Sequence, residues 1–595
     1  MSNSHSFHIP VMGTAFTADT PLKVAQYGID SVIALADDVL LERLRKMYCD
    51  LNNRDYEEIS IKEEDSRAVR ITAYLNLVNE LIEEKYNNFI SKIKEKEEDL
   101  KQYFNLLPDT SNIKKDFQVF IEGLPSMEEM NLWVKENMSL GSVDVNIMTK
   151  VDKTNYKKGV ELPSEFNDAH AGLRGFANSN LESSIIFSAG MNPRLYGYIA
   201  SFPDFFPDKN GYIKKKIVLK VSDFRSAMIQ GKFLAKKGLW VSEYRVESGL
   251  NCGGHAFATD GFLMGPILAE FRDKKQELID STYEVCQQAL ESNDKIVPKE
   301  TLKIKITAQG GVGTSEEHDF LINHYNLDSV GWGTPFLLVP TVTTVDDDTI
   351  EQLKNAKEKD LYLSNVSPLG VPFNNLRGSS KEIEKMENAQ KGKAGSSCPR
   401  KFLAMNYEYN KQGMCTASRK FQSIKFDEIK DEKELTENEK YDKIIEKTCL
   451  CVGLSATAMI KNNIATKDSM GVSICPGPNM AYFSKTLSLS EMVHHIYGKI
   501  NVISRDDRPN MFVKEFQLYI DYLKNKIRDA KDDFNKKQDK YLSKFMLNMN
   551  EGIEYYYNLF QDNNSVISDL DNEKLKLNIL NSDIEKLKET LVINS

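Results

Sequence analysis

The feature that most restricts the fold of this chain is a strand that ends in glycines and leads into a helix, found twice between residues 302 and 340. In the first unit, alternating apolar residues predict a strand that ends at Gly310 and Gly311, and Thr314 stands where a helix N-cap belongs. In the second unit, a short apolar strand ends at Gly333 and Thr334. Consecutive units of this kind are typical of a parallel sheet, whose strand-to-helix turns lie at one end.

Both turns have the chemistry of a phosphate site. Glycine allows backbone N–H groups to approach a ligand closely, and the N–H groups at a helix N-terminus attract an anion. The alternative is that these residues only make tight turns, because a single Gly-Gly-x-Gly sequence is weak evidence for a ligand. The second turn favours the phosphate interpretation, with Gly310, Gly311, Gly333 and Thr334 as its residues.

Six more apolar segments precede this pair, and they mostly alternate with helical patterns. They lie at residues 9–14, 31–35, 142–148, 184–187, 217–221 and 240–246. Eight strands that alternate with helices predict an α/β fold, a closed (β/α)8 TIM barrel. The chemistry of such a barrel is expected on the loops at the C-terminal ends of its strands.

The rest of the chain divides around this predicted barrel, which takes residues 1–345. A charged helical pattern at about residues 60–135 is too long for one barrel helix and predicts a helical insertion. Residues 346–507 contain cysteines and loop-forming residues, which predicts an irregular region. Residues 508–595 have apolar positions at helical spacing, which predicts a helical C-terminal region.

Charge and composition exclude several classes of partner. The net charge of −10 makes a nucleic-acid backbone an unfavourable partner, and no apolar run is long enough to span a bilayer. The N-terminal residues show no secretory signal, and the cysteines are too few for a disulfide framework in so long a chain. We therefore expect a cytoplasmic enzyme with a small-molecule substrate and no membrane partner.

Three side chains at predicted strand ends add to the candidate site. His255 follows Gly253 and Gly254 after the sixth strand, where little blocks the approach of a substrate. Lys220 lies at the end of the fifth strand and Asn146 in the third. A cation and an amide beside a cofactor ring stabilise negative charge that develops on reduction. The alternatives are a buried histidine bound to backbone for His255 and an exposed strand lysine for Lys220.

The sequence resembles a known enzyme family over most of the predicted barrel. The runs GLNCGGH, KITAQGGVGTSEEHDFL and DSVGWGTPFL, with PVMGTAFTADTPLKVAQYGIDSVIAL near the N-terminus, look like the nitronate monooxygenase (2-nitropropane dioxygenase-like) family of FMN-binding TIM barrels. A related branch holds the enoyl reductases of polyunsaturated fatty acid and polyketide synthesis. The likeness covers about residues 9–340.

The resemblance implies an FMN cofactor and a general base at the C-terminal face of the barrel. Histidine suits the base because its free pKa lies near neutral pH. The implied residues are His255 as the base, Met12, Gly13, Asn146 and Lys220 at the flavin, and Gly310, Gly311, Gly333 and Thr334 at its phosphate. The chain departs from the family at Pro335, where the family has arginine, so the resemblance implies the cofactor more directly than the substrate.

These assignments imply an FMN-dependent oxidoreductase, nitronate monooxygenase-like, that acts on a small carbon acid. The first alternative is a flavin-dependent enoyl reductase with a carrier-bound or thioester substrate. The second is a barrel without catalysis that serves as a binding or assembly module.

Four cysteines form a second candidate site: Cys398, Cys415, Cys449 and Cys451. Four thiolates from irregular segments could hold an iron–sulfur cluster or a structural zinc. Their spacing matches no standard metal-binding run, and unligated buried thiols are the alternative. We favour an iron–sulfur cluster because a cluster beside a flavin could supply it with electrons.

Overall fold

The computed structural model describes residues 5–91, 97–188, 190–247, 249–251, 253–256, 260–429, 437–530 and 534–593. Eight parallel strands close into a barrel in chain order, since the first strand pairs with both the second and the eighth. The barrel strands are β1 (Phe7–Ile9), β2 (Asp30–Ala34), β3 (Val143–Met148), β4 (Ser184–Ser188), β5 (Lys216–Val221), β6 (Val241–Glu247), β7 (Lys305–Gln309) and β8 (Ser329–Gly331). The predicted closed (β/α)8 TIM barrel is confirmed.

The described helices are numbered α1 to α20 in chain order. The first ten are α1 (Pro21–Val24), α2 (Asp38–Leu51), α3 (Ser66–Ser91), α4 (Glu97–Leu106), α5 (Asn112–Glu122), α6 (Met127–Asn137), α7 (Asp168–Ala177), α8 (Pro193–Ile199), α9 (Phe224–Ala235) and α10 (Met264–Ser292). The others are α11 (Ser315–His324), α12 (Asp347–Asn355), α13 (Ser380–Gln390), α14 (Arg419–Ile429), α15 (Glu437–Glu446), α16 (Leu450–Lys461), α17 (Leu489–Ile496), α18 (Met511–Ala530), α19 (Lys536–Leu559) and α20 (Asn564–Ile593).

Polar side chains just after the barrel strands start several of the helices. In each case the side-chain oxygen accepts a hydrogen bond from the backbone N–H of the first helical turn, which satisfies a donor that the helix itself leaves free. The capping residues are Asp37 for α2, Asn192 for α8, Asp223 for α9 and Thr314 for α11. These caps fix where the chain turns back, and so they hold the loops at one end of the barrel.

The barrel interior has an apolar layer and a charged network. Val32, Ile186 and Val218 pack together as the apolar layer. In the network, Arg245 pairs with Glu243 at 2.7 Å. Because successive strand residues face opposite sides, alternate positions of each strand supply this interior.

The first strand is shorter than its sequence pattern suggests. The apolar run at residues 9–14 predicts a strand, whereas the ladder of β1 ends at Ile9. Pro10 explains the difference, because proline has no N–H to donate to a neighbouring strand. The residues that follow form the turn that carries Met12 and Gly13.

The predicted helical insertion corresponds to helices α3 to α6. Helix α3 packs against α2 and α7 and so belongs to the outer ring of the barrel. Aromatic rings join the other three helices, with the ring centroids of Phe104 and Phe117 3.8 Å apart and Trp133 beside them. The helical prediction for this segment therefore holds, although its first helix serves the barrel itself.

The region predicted as irregular, residues 346–507, is more regular than expected. It contains helices α12 to α17 and an antiparallel hairpin of β9 (Leu361–Ser364) and β10 (Phe373–Leu376). The loop between these strands is rich in Pro and Gly, so the sequence pattern of this segment indicates a loop and does not reveal the two four-residue strands. Residues 391–418 do lack both helix and strand, and they carry Cys398 and Cys415.

The predicted helical C-terminal region is formed by α18, α19 and α20. These helices pack against one another, and α18 and α19 also pack against α10 of the barrel. Their buried residues belong to the same continuous apolar core as the barrel. No described helix is both long and apolar enough to cross a membrane.

Candidate functional site

The two predicted glycine turns lie side by side at the C-terminal end of the barrel. Gln309 of β7 pairs in register with Gly331 of β8, so the turns that follow begin at the same level. Gly311, Gly333 and Thr334 line one small pocket, to which the loop after β6 also contributes. The structure thus brings these three barrel turns together.

Polar groups from the C-terminal part of the chain contact both turns. The side-chain amide of Asn479 donates to the carbonyl oxygens of Gly311 and Val312, each at 2.7 Å. The backbone N–H of Gly477 donates to Thr334 Oγ1 at 3.0 Å. The pocket that remains between the turns measures about 10 Å³, which is room for about one water molecule.

The N-terminus of helix α11 has its own anion, the carboxylate of Glu317. This carboxylate accepts the N–H of Gly313 at 2.9 Å and is bound by the Arg508 guanidinium through two contacts of 2.8 Å. Arg508 also donates to the carbonyl oxygen of Gly311 at 2.9 Å. A Cβ at position 313 would stand 2.6 Å from the guanidinium, so a larger residue there would displace Arg508 from its present position.

Met12 and Gly13, implied to line the flavin, form a tight turn after β1. Met12 is buried, and its N–H donates to Thr17 Oγ1 at 3.2 Å. Gly13 has a φ of 53°, and a Cβ there would lie 2.6 Å from the ring of Phe16. The turn therefore needs glycine for its own packing.

Asn146 and Lys220 lie in the barrel interior. Asn146 is buried, and its Oδ1 has no hydrogen-bond partner within the part of the chain that the structure describes. Lys220 is paired with Glu247 at 2.7 Å, and the side chain of Gln309 donates to the same carboxylate. The sequence analysis did not identify Glu247. The signal was the alternation of Glu243, Arg245 and Glu247 along β6, because alternate residues of a strand face the same side, here the barrel interior.

His255 contacts the hairpin of the C-terminal region. Its Nε2 lies 2.6 Å from Ser367 Oγ, and its ring meets the Phe373 ring edge-on with centroids 5.0 Å apart. Its backbone carbonyl accepts a hydrogen bond from the Asn251 side chain. Burial lowers the pKa of His255 to about 4. The imidazole is thus held by Ser367, and it is not among the described residues that line the pocket between the glycine turns.

A thiol that the sequence pattern did not place also lies at this end of the barrel. Cys475 lies near the N–H groups of Gly13 and Gly254, and its neighbour Pro476 forms an isolated β-bridge with Gly253, so this segment packs against the turn after β1 and the loop after β6. Burial raises the pKa of this thiol to about 12. The sequence showed only a rigid Cys-Pro-Gly-Pro turn, which says nothing about where that turn packs.

The chemistry of this end of the barrel suits FMN, whereas the volume beside the turns is small. Glycine turns favour a phosphate, although the N-terminus of α11 already holds the Glu317 carboxylate, and the unsatisfied buried oxygen of Asn146 suits a ligand N–H. A phosphate does not fit the pocket of about 10 Å³ between the turns, so the Asn479 side chain that lines this pocket would have to move to admit one. The types of residue at this end of the barrel therefore suit FMN, and its binding requires the segment around Asn479 to move.

A larger cavity, of about 900 Å³, opens at the N-terminal end of the barrel. Asp144, Glu243, Arg245 and Lys216 are among the charged residues that line it. His8 also lines it, and the Nε2 of His8 has no hydrogen-bond partner among the described residues. Because barrels of this kind carry their chemistry at the other end, we assign this cavity no catalytic role.

The four predicted ligand cysteines lie in two segments of the region that follows the barrel. Cys398 packs against the small cluster that contains Cys415, and Cys449 and Cys451 lie at the start of helix α16. None of the four takes part in a disulfide. Among the described residues, no three His, Cys, Asp or Glu side chains are placed to hold a metal ion, so the metal site stays a prediction from the sequence.

No protein-family profile matches the sequence, and no curated protein is significantly similar to it. Among solved structures, the enoyl reductase domain of MlnA from the macrolactin biosynthesis cluster of Bacillus amyloliquefaciens is 12% identical. That match covers 63% of this chain and 86% of the MlnA domain, with a TM-score of 0.33. So low a score carries no argument about function, and the class of this protein, an α/β TIM barrel, rests on its own strand order.

Proposed function

We propose that this protein is an FMN-dependent oxidoreductase whose cofactor binds at the C-terminal end of the barrel. The observation that carries the proposal is the meeting of two glycine turns at this end, together with the unsatisfied buried oxygen of Asn146 on a neighbouring part of the barrel. The resemblance to FMN-binding barrels assigns the same residues, and it is independent of the geometry.

Each residue has a role that follows from its contacts. Gly310, Gly311, Gly333 and Thr334 would hold the phosphate through backbone N–H groups. Met12 and Gly13 would lie against the ring system, and Asn146 would accept one of its N–H groups. Bound FMN would supply hydride or single-electron exchange. Lys220 would stabilise negative charge near the ring, with Glu247 fixing its ammonium group 2.7 Å away.

His255 would move the proton of a carbon acid. Burial lowers its pKa to about 4, so the imidazole is neutral at pH 7 and able to accept a proton, although it is a weaker base than a free histidine. Ser367 holds one ring nitrogen, so this hydroxyl orients the base. A substrate would therefore approach over the hairpin of β9 and β10.

The first experiment measures flavin in the full-length protein. We expect a visible flavin spectrum and release of about one FMN per chain on denaturation. Asn146→Ala should weaken FMN binding by about tenfold without loss of stability, because the described residues offer its Oδ1 no partner. A protein that neither contains flavin nor binds added FMN would overturn the proposal.

Asn375→Ala is the matched control. Asn375 is equally buried, but its amide donates to Tyr362 and Glu382, at 3.0 and 2.9 Å. This variant should lose stability and keep its affinity for FMN. His255→Ala should abolish turnover while FMN stays bound, and His494→Ala, which changes a histidine on the outer side of α17, should leave turnover intact.

Groups from the C-terminal part of the chain occupy the space beside the two glycine turns. This favours a second candidate function, in which the barrel serves as a binding or assembly module without catalysis. Asn479, Gly477 and Arg508 donate to oxygen atoms of the two turns, and the pocket left between the turns is only about 10 Å³. Under this alternative, Asn146→Ala changes neither stability nor any ligand affinity. The same FMN titration therefore separates the two functions.

If flavin is bound, its reoxidation identifies the substrate class. Reduction of the flavin by a small nitronate, followed by reaction with oxygen, supports the carbon-acid function. Reduction by NAD(P)H, followed by reoxidation with an enoyl thioester, supports the enoyl reductase alternative instead.

A further inference from the structure

The cavity at the N-terminal end of the barrel has the size of a small-molecule site. Its volume of about 900 Å³ lies within the range of about 300–1,000 Å³ that is usual for such sites. Val218, from the apolar layer of the barrel interior, is among the residues that line it. None of the four residues assigned to the flavin phosphate lines it. The cavity is therefore separate from the glycine turns at the other end of the barrel.

The charged side chains of the barrel strands balance in number inside this cavity. Three carboxylates and three cations of the strands line it: Asp30, Asp144 and Glu243, with Lys216, Arg245 and Lys305. The two aspartates lie on β2 and β3, whereas the three cations lie on β5, β6 and β7. Strands four places apart face each other across a barrel of eight strands, so β2 and β3 lie opposite β6 and β7. The cavity thus has an acidic wall and a basic wall.

On the acidic wall, Asp144 has an oxygen that is open to a ligand. Only 6% of this residue is exposed. Its Oδ1 accepts hydrogen bonds from Ser142 Oγ at 2.6 Å and from the N–H of Ser184 at 2.9 Å. Its Oδ2 accepts none from the part of the chain that the structure describes, and no described cation forms an ion pair with the carboxylate. A buried carboxylate without a cation is costly, and burial raises the pKa of Asp144. An ammonium group at Oδ2 would remove this cost.

On the basic wall, Arg245 offers the matching donor. It is 3% exposed, and its Nε and Nη2 contact Glu243 at 2.8 and 2.7 Å. The Thr307 hydroxyl donates to the same oxygen of Glu243 at 2.5 Å. These contacts fix the guanidinium, whose Nη1 has no partner among the described residues. A carboxylate at Nη1 would gain a charge-assisted hydrogen bond, and Lys305 of the next strand adds positive charge to the same wall.

The other lining residues suit the rest of a molecule with two charges. His8 is buried, its Nδ1 lies 2.9 Å from Ser329 Oγ, and its Nε2 has no hydrogen-bond partner among the described residues. Part of the wall is apolar, with Ile213, Trp240 and Leu302 among the lining residues. Small-molecule sites usually combine such apolar surface with a few polar groups that orient the ligand.

We propose that this cavity binds an α-amino acid with an apolar side chain, its ammonium group at Asp144 Oδ2 and its carboxylate at Arg245 Nη1. A ligand with only a positive charge would be repelled by the basic wall, and one with only a negative charge by the acidic wall. A zwitterion is attracted by both. Because the cavity lies at the end of the barrel opposite the proposed flavin, this assignment does not depend on flavin binding.

The first test is isothermal titration calorimetry of the full-length protein with L-leucine and two analogues that each lack one charge. Isoamylamine lacks the carboxylate, and isocaproate lacks the ammonium group. We expect leucine to bind, and each analogue to bind at least about tenfold more weakly, because each leaves one wall without its partner. A thermal shift assay extends the test to the other common amino acids. If none of them binds, the cavity holds only water and the proposal is overturned, as it is if either analogue binds as tightly as leucine.

A charge-removing variant then locates the ammonium group. Asp144→Asn keeps an acceptor for Ser142 and Ser184 but loses the charge, and its affinity for leucine should fall at least about tenfold. Its thermal midpoint without ligand should not fall, because an unpaired buried charge has been removed. The matched control is Asp204→Asn, at the same end of the barrel but outside the lining residues, where Asp204 pairs with Lys214 at 3.1 Å. This control should bind leucine as the unaltered protein does. Equal affinities of the two variants for leucine would contradict the proposal.

Discussion

At the scale of single residues, the ion pair between Arg508 and Glu317 is the contact that joins the C-terminal region to the glycine turns. Both side chains are buried, with 6% and 7% of their surface exposed. Arg508→Met leaves the carboxylate of Glu317 buried without its cation. We expect the free energy of unfolding to fall by about 3–5 kcal/mol, measured by chemical denaturation.

A double variant and a partly exposed pair provide the controls. Arg508→Met with Glu317→Gln should recover much of the loss, because no buried charge then remains unpaired. Arg505→Met removes contacts to Glu358 and Asp507, which lie nearer the surface, and should cost less than about 1 kcal/mol. Equal losses for the two arginine variants would mean that the buried pair has no special role.

The pH dependence of turnover tests the role of His255. Burial lowers its pKa from 6.5 to about 4, so the base remains unprotonated throughout the neutral range. We therefore expect kcat/KM to fall only as the pH approaches about 4. A fall centred near 6.5 would show that the proton acceptor is another group or that His255 is solvated in the free enzyme.

At the scale of elements, helix α10 is capped from outside its own segment. Its N-cap residue, Leu263, offers no side-chain acceptor, and the buried carboxylate of Glu515 in α18 accepts the N–H of Met264 at 2.9 Å. The Tyr556 hydroxyl of α19 donates to Glu515 and accepts the N–H of Gly265, at 3.2 and 3.1 Å. Two C-terminal helices thus complete a helix of the barrel.

Removal of this cap should destabilise the whole protein. Glu515→Ala leaves the N–H of Met264 and the hydroxyl of Tyr556 without this acceptor in a buried place, and we expect a loss of about 1–3 kcal/mol. Glu554→Ala, at an exposed position of α19, should change stability by less than about 0.5 kcal/mol. The measurement is the midpoint of chemical denaturation, and separate transitions for barrel and C-terminal helices would contradict this coupling.

At the scale of the whole molecule, buried histidines should determine stability in mild acid. Burial lowers the pKa of His5, His255 and His318 to about 4, and that of His8 well below its usual value. Between pH 6.5 and about 4, the unfolded chain therefore binds more protons than the folded one, and the free energy of unfolding falls as the pH falls. Asp30 acts in the opposite direction, because burial raises its pKa to about 6.

The histidines outnumber Asp30, so the net effect is a loss of stability toward acid. We expect each histidine to contribute up to about 1.4 kcal/mol per pH unit within that window. His318→Gln should reduce the slope by about one proton in denaturation curves recorded from pH 7 to pH 4. A slope that is unchanged by this substitution would contradict the buried neutral state of His318.

Periodicity and turn chemistry determined the barrel. Seven of its strands appear in the sequence as apolar segments with nearly the bounds that the structure shows. The reason is that the apolar side chains that define a buried strand are close together in the sequence. The caps at Asp37 and Thr314 are equally local, since a cap depends on one side chain and the turn beside it. The convergence of the two glycine turns follows from the parallel order of the strands.

Tertiary structure alone decided what lies against those turns. Asn479, Arg508 and Cys475 reach the barrel mouth from segments more than a hundred residues away in the chain, and nothing in their local pattern indicates it. The sequence likewise shows four scattered cysteines, and only the folded chain brings Cys398 against the small cluster that contains Cys415. Strands and caps depend on neighbours in the chain, whereas the site depends on contacts between distant segments, and a one-dimensional pattern does not record those contacts.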